Sequence, residues 1–445
     1  MPNAPSQDIM SSDHPQALDT SCPSSSSGRR LLISEEGLID EVGHWYEYCK
    51  SVSDIHTERG IECLVAMHAE AKAEVRTDIK ALPVYRQTSW GGLSTQPNTI
   101  KRYFGILSHN RLVYKTMDRL VRKTGPVDVV FAPTVTVHHL IGWRLFAARR
   151  RGRDFKRLVL LFRNNVGYYT ADSDTPKFRR ASRILAPIFK SFTGLLKTGD
   201  VVFATDSERL ADEYEALCGL RPIVFPSPRV SEPEQASPVV EAGQVPTDRS
   251  PPAIVFSCLG PARFEKGIDV LQEAIKLVLA RRVARDVCFV IQWNAEIKFI
   301  SGEVYSPDAA LLNDDRVRLL TKSLTSEQYN AEVANTDCMV LPYRRDSYFA
   351  RISGVAVEGV TAGKPIIYTR GTWCEDLVRS SGAGIGVPDG DVEKLAEAIE
   401  KLAAEFSTYK AQAAAKAEDA RRSNSAEAFV EKLWGPVLSQ VSGFD

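Results

Sequence analysis

The sequence predicts an α/β protein of two doubly wound domains. Three observations lead there. Apolar strands alternate with amphipathic helices from about residue 31 onward, the pattern of a parallel sheet covered on both faces. The alternation stops at Ser231–Pro252, where Pro, Glu, Gln, Ser and Gly take over, and then restarts. Soon after the restart, glycines and two separated cations sit at a strand-to-helix junction, the run from Phe256 to Gly267. Free backbone N–H groups and a helix dipole converge at such junctions, so anions gather there.

Residues 1–28 are rich in Ser, Pro and Asp, cannot bury a core and are expected to be disordered. Leu31–Ser34 reads as the first strand, followed by a loop to Gly43-His44 and a helix from Trp45 to Arg59. Ile61–Met67, Asp128–Ala132, Leu158–Phe162 and Asp200–Thr205 are further strands, the last leading into a helix over Ser207–Leu217. After the linker, strands are expected at Ala253–Ser257, Val287–Gln292, Val317–Leu320, Cys338–Leu341 and Pro365–Tyr368. Helices are expected at Ile268–Arg282, Ser326–Asn335, Ile352–Ala362, Asp391–Ala403 and Ser425–Val437. The expected division is an N-terminal domain over 29–230, a linker over 231–252, a second domain over 253–424 and a terminal helical segment over 425–445.

The chain has 445 residues, enough for two separate cores, and its 44% hydrophobic and 25% charged content is that of a globular protein. No apolar run approaches the ~20 residues of a membrane span. The N-terminus lacks the apolar core of a secretory signal. The eight cysteines are scattered and form no C-x-x-C pair, which points to reduced core residues in a cytoplasmic protein. Net charge is zero, yet residues 30–230 carry 31 Lys and Arg against 22 Asp and Glu. The excess concentrates in Arg149–Arg153 and Lys177–Lys197. Ile184, Leu185, Ile188, Phe189, Phe192, Leu195 and Leu196 fall along one stripe of the second segment. It reads either as a core-facing helix or as an interfacial helix on an anionic membrane.

The junction carries G-x-x-R-x-E-K-G, with Arg263 and Lys266 placed to neutralise a diphosphate. Pro342-Tyr343, then Tyr348, Arg351, Ser353-Gly354, Glu358 and Ala362-Gly363-Lys364-Pro365 follow in order. This ordered set resembles the nucleotide-sugar half of the GT-B glycosyltransferases, most closely the retaining family 4-like glycosyl transferases of group 1. The resemblance is strongest over 253–390. It implies two Rossmann-like domains facing a central cleft, with the acceptor bound by the first domain and a nucleoside-diphosphate sugar by the second. It also implies that the terminal helix crosses back to the first domain.

The resemblance assigns Glu358 to the two ribose hydroxyls, and Arg263, Lys266 and Glu358 are the expected catalytic set. Tyr343, Tyr348, Arg351, Ser353 and Gly354 are expected to bind the donor, Leu324 to lie near its base, and Gly43 and His44 to face the cleft. His138, beside His139, is a candidate cleft histidine. Arg163 and Asn164 stand where many relatives keep one. Relatives also carry a glutamate eight positions before Glu358; here that residue is Ala350. Asp346 or Tyr348 could replace it, and Y-x-x-R-x-S-G at Tyr348–Gly354 resembles a branch that lacks it.

A D-x-D run, Asp172-Ser173-Asp174, lies in a polar stretch of the first domain. No metal and no cofactor are expected, because two fixed cations can hold the leaving diphosphate. The expected function is metal-independent, retaining transfer of a sugar to a hydroxyl of a glycan, a lipid-linked or a small-molecule acceptor. The expected location is cytoplasmic, peripheral at the inner membrane face where the basic segments dock, with no nucleic acid partner. The alternative is a non-catalytic GT-B subunit that binds nucleotide or a partner.

Overall fold

The computed structural model describes residues 28–41, 44–89, 99–136, 138–170, 173–228, 253–281, 286–299, 302–379, 383–436 and 440. The expected N-terminal tail over 1–28 therefore falls almost wholly outside the described residues, as do Gly43, Asp172, Cys22 and the linker.

Two parallel sheets dominate. The first has seven strands in the order Ala81–Tyr85, Glu62–His68, Arg30–Ser34, Val127–Ala132, Phe155–Phe162, Val201–Thr205, Ile223–Val224. Its inner strands are buried on both faces, so their residues alternate between two cores. Leu32, Val130, Leu158 and Leu160 join one cluster, and Leu31, Ile33, Val129, Phe131, Val159 and Leu161 join the other. Ala81–Tyr85, which sequence analysis does not anticipate, contains Pro83. Proline cannot donate to a ladder, and this strand occupies the sheet edge, where that loss is tolerated.

The second sheet has six strands in the order Val317–Leu320, Val287–Gln292, Ile254–Cys258, Cys338–Leu341, Ile366–Thr369, Gly384–Val387. In both sheets the strand order reverses beside the first strand. Ligands of open α/β sheets bind outside the carboxyl ends of the strands at that point.

Helix Ala426–Trp434 lies against the first domain. Phe429 and Leu433 are buried in its core, and the Trp434 indole N–H donates to His56 Nε2 at 2.9 Å. Gln440 continues the contact by accepting from the Phe203 amide at 3.1 Å. The seven cysteines in the described residues are all buried and unpaired.

A second junction joins the domains on the loop 344–351. Arg209 donates to the carbonyls of Phe349 (3.0 Å) and Gly371 (2.9 Å), and its guanidinium lies 4.6 Å above the Phe349 ring. On the other side Arg345 donates to the Thr170 carbonyl at 2.6 Å and pairs with Asp174. Phe349 itself stacks on Tyr169 with ring centroids 4.0 Å apart.

Candidate active site

The second-domain crevice opens where Ile254–Cys258 and Cys338–Leu341 run side by side. Gly260 follows the first of these strands with φ +80°, and its N–H donates to Gln292 Oε1 at 2.6 Å. A Cβ on Gly260 would come within 2.5 Å of Lys266 Nζ, so the ammonium lies directly against the loop. Phe264–Lys266 forms one 3-10 turn, and Gly267 at φ +69° turns the chain into helix Ile268–Ala280.

Three cations border this loop. Arg263 Nη1 lies 3.3 Å and Arg351 Nη1 3.6 Å from the same oxygen of Glu265. One carboxylate thus faces two guanidiniums, with the Lys266 ammonium on the same loop against Gly260, leaving positive charge unmatched. Burial pushes the Lys266 amine down to about 8, opposed by Cys258 and assisted by Arg263 and Arg351.

Arg351 lies over the Tyr348 ring at 5.2 Å, and Tyr348 rests on Tyr343 at 4.3 Å. The Tyr343 hydroxyl and Ser353 Oγ are hydrogen-bonded at 3.1 Å, and Ser353 caps helix Gly354–Thr361 by accepting from the Ala356 amide at 3.2 Å. This ladder fixes where Arg351 and the helix start point. Glu358, one turn in, accepts from the Tyr329 hydroxyl of helix Ser326–Asn335. Leu324 is half-buried in the loop before that helix, whose start Thr325 and Gln328 close as a capping box.

The first-domain crevice, beyond Arg30–Ser34 and Val127–Ala132, holds residues that the sequence reading missed. Glu35 and Glu36 are both buried. Burial pushes Glu35 up to about 7, against hydrogen bonds from Thr134 and the Gly37 amide. For Glu36 burial acts the same way, but hydrogen bonds from His109 and His139 outweigh it and hold the carboxyl well below its usual range. His109 Nε2 is 3.0 Å from Glu36 Oε2, and His139 Nδ1 is 3.7 Å from Oε1. Two consecutive acidic residues directly after a strand were the available signal.

It is thus His139, not His138, that is buried in the crevice. His138 is half-buried, and its carbonyl accepts from Asn110 Nδ2 at 2.5 Å. Arg163 is engaged by Asp206 (Nε to Oδ2, 3.0 Å) and lies 4.8 Å over the Tyr48 ring. Asn164 offers its carbonyl to the Tyr214 hydroxyl at 3.1 Å. His44 begins helix His44–Glu58, with its side chain outside the described residues.

Residues 253–405 match the family Glycosyl transferases group 1. The second domain is a group 1 glycosyltransferase domain. No curated protein matches the chain by sequence. Among solved structures, HepE of Anabaena in complex with UDP and glucose aligns at 14% identity over 91% of this chain and 98% of that one, with a TM-score of 0.57. Sucrose-phosphate synthase of Thermosynechococcus elongatus aligns at 14% over 91% and 97%, with a TM-score of 0.60. WaaG, a glycosyltransferase involved in lipopolysaccharide biosynthesis, aligns at 13% over 91% and 100%, with a TM-score of 0.57. At these identities the likeness is one of fold, and the fold is GT-B. With its group 1 domain, the chain is a glycosyltransferase.

This glycosyltransferase departs from its relatives at Ala350, and the structure gives a physical reason. Ala350 is fully buried and belongs to the apolar cluster of the first domain, and its carbonyl accepts from Ser207 Oγ at 2.6 Å. A glutamate there would bury an unpaired charge among apolar side chains, which is costly. Asp346 is exposed and bonded to Ser347, and Tyr348 is buried beneath Arg351.

Glu36, His109 and His139 are the one group with metal-ligand spacing among the described residues. However, His139 Nε2 accepts the Thr136 amide hydrogen at 2.8 Å, so the ring's proton sits on Nδ1, facing Glu36. A protonated nitrogen is not a ligand, and the three read as a buried polar triad of the core. Of the two D-x-D runs, the first has Asp174 taken up by Arg345; in the second, Asp389 accepts from the Arg345 amide and Asp391 from the Lys394 amide, each at 2.9 Å.

Proposed function

We propose that this glycosyltransferase moves a sugar from a nucleoside-diphosphate sugar to an acceptor hydroxyl, with retention and without a metal ion. The observation that carries the reading is the placement of Arg263 and Arg351 around the Glu265 carboxylate and of Lys266 against Gly260, at the switch point of the second sheet. Their unmatched charge suits a diphosphate. As the bond from the sugar's anomeric carbon to the phosphate oxygen breaks, negative charge grows on that oxygen, and fixed cations stabilise it. The acceptor oxygen bonds to the anomeric carbon, and its proton leaves with the departing diphosphate. Glu358 is proposed to hold the ribose. HepE, whose structure contains UDP and glucose, supports a donor of this class.

Retention rests on the family resemblance. A glycan, a lipid-linked molecule or a small molecule remains the proposed acceptor. Buried, unpaired cysteines support a cytoplasmic location. No helix among the described residues is long and apolar enough to cross a membrane.

The test is turnover of a nucleotide-sugar panel in excess EDTA, with the anomeric proton of the product followed by NMR. The expected result is undiminished turnover and a product with the donor's anomeric configuration. A rate restored only by magnesium or manganese refutes metal independence, and an inverted product refutes retention. Nucleotide binding without turnover of any donor in the panel would contradict the proposed donor class.

A further inference from the structure

We infer that the face formed by helices Thr99–Thr124, Leu140–Arg150 and Arg180–Lys190 docks on an anionic lipid bilayer. The inference is independent of the donor chemistry proposed above. Its anchor is the start of the first helix. Ile100 is 67% exposed, Tyr103 54%, Phe104 68% and Leu107 57%. Their spacing puts them on one side of the helix. Across residues 100–108 no side chain is buried, whereas from His109 onward the helix packs into the domain. The change comes where Asn110 Oδ1 accepts from the Gly142 amide at 2.8 Å, at the first turn of the neighbouring helix. In the segment before it Tyr103, Phe104 and Leu107 therefore present an apolar stripe to solvent. Tertiary packing of an apolar face ordinarily supplies most of a helix's stability, so such a stripe signals a partner.

Charge selects the partner. The three helices contain thirteen Lys and Arg and one acidic residue, Asp118. Asp118 is already engaged by Arg150 and Arg122. Lys101, Arg111, Lys115, Arg180 and Arg183 are exposed, and so is Ile184 beside the last two. An apolar stripe flanked by basic side chains with almost no counter-charge fits the headgroup–acyl boundary of an anionic membrane.

The structure narrows the two segments that sequence analysis offered for this role. In Arg149–Arg153, Arg150 is buried between Asp118 and Asp154, and Arg151 pairs with Asp200. In the stripe from Ile184, the side chains of Phe189, Phe192, Leu195 and Leu196 are core.

The test is co-sedimentation of the full chain with phosphatidylglycerol-containing vesicles at low and high salt, against pure phosphatidylcholine. Binding to the anionic vesicles alone, weakened at least about tenfold by high salt, is expected. The Phe104→Ser/Leu107→Ser variant and the Arg180→Glu/Arg183→Glu variant should each lose at least about tenfold in vesicle affinity. Both replace exposed side chains, so their melting temperatures and nucleoside-diphosphate affinities should match the parent's. Absence from anionic vesicles at low salt overturns the inference. Equal vesicle binding by the parent and the Phe104→Ser/Leu107→Ser variant also overturns it. So does a parent dimer that this variant converts to monomer, since the stripe would then be a protein interface.

Discussion

Replacing Lys266 by Ala is expected to lower turnover about 100- to 1,000-fold, the effect of removing one preorganised group from a developing negative charge. Lys266 is singled out because its amine is packed against Gly260 and pointed by the loop, whereas Arg263 is half-exposed and shares Glu265 with Arg351. The same residue sets a pH dependence. Burial lowers its amine to about 8, so the free protein loses this positive charge as pH rises through that value. Affinity for a nucleoside diphosphate should therefore fall between roughly pH 7 and 9, where the charge disappears. For stability the sign is opposite. The unfolded chain keeps its proton to higher pH, so the penalty for burying the ammonium is present below about 8 and fades above it. Steady-state kinetics and calorimetry across this range, on parent and Lys266→Ala, decide the matter. Rates within threefold of the parent, or an unchanged pH profile of binding in the variant, would show that the amine does not meet the phosphate.

The largest stability effect is expected at Gly267. Its φ of +69° disfavours any side chain, and a Cβ there would sit 1.9 Å from the carbonyl oxygen of Pro342. Backbone stands on both sides of that clash, so relief requires moving two neighbouring loops of the second sheet apart. Gly267→Ala should cost about 3–5 kcal/mol of stability, from the left-handed backbone and the clash together. Gly302→Ala is the control: its φ is +89° but nothing lies within 4 Å of a built Cβ, so only the backbone penalty applies. Denaturant unfolding followed by tryptophan fluorescence measures both. Equal losses in the two variants would mean that the approach of the Gly267 loop to Pro342 is looser than the geometry here.

The second domain was legible because its chemistry lies in short contiguous runs. Arg263 and Lys266 are three residues apart on one loop, and Tyr343 to Glu358 spans one strand end, one loop and one helix start. Local spacing is enough to bring such residues together. The first-domain crevice was not legible for the converse reason. Glu36, His109 and His139 follow or lie on three elements, and only the strand order of the sheet assembles them. Arg163 and Asp206 meet because Phe155–Phe162 and Val201–Thr205 are neighbours in that sheet, a pairing that no local pattern discloses. Helix Thr99–Thr124 escaped notice because its first turns place apolar residues toward solvent, contrary to the buried stripe on which periodicity reading depends. Ala350 was legible as a departure but not as a cause. Its burial in the other domain's core appears only when both domains are seen together.

The crevice between Gly260 and Glu358 is proposed to bind a nucleoside diphosphate. Isothermal titration calorimetry with UDP, GDP, ADP and dTDP, on the parent and on Glu358→Ala, tests it most directly. One of the four is expected to bind the parent. In the variant the loss of a charge-assisted contact should weaken that binding about ten- to a hundredfold, at unchanged melting temperature. If none of the four binds the parent, or if the variant binds with the parent's affinity, the crevice is not the donor site.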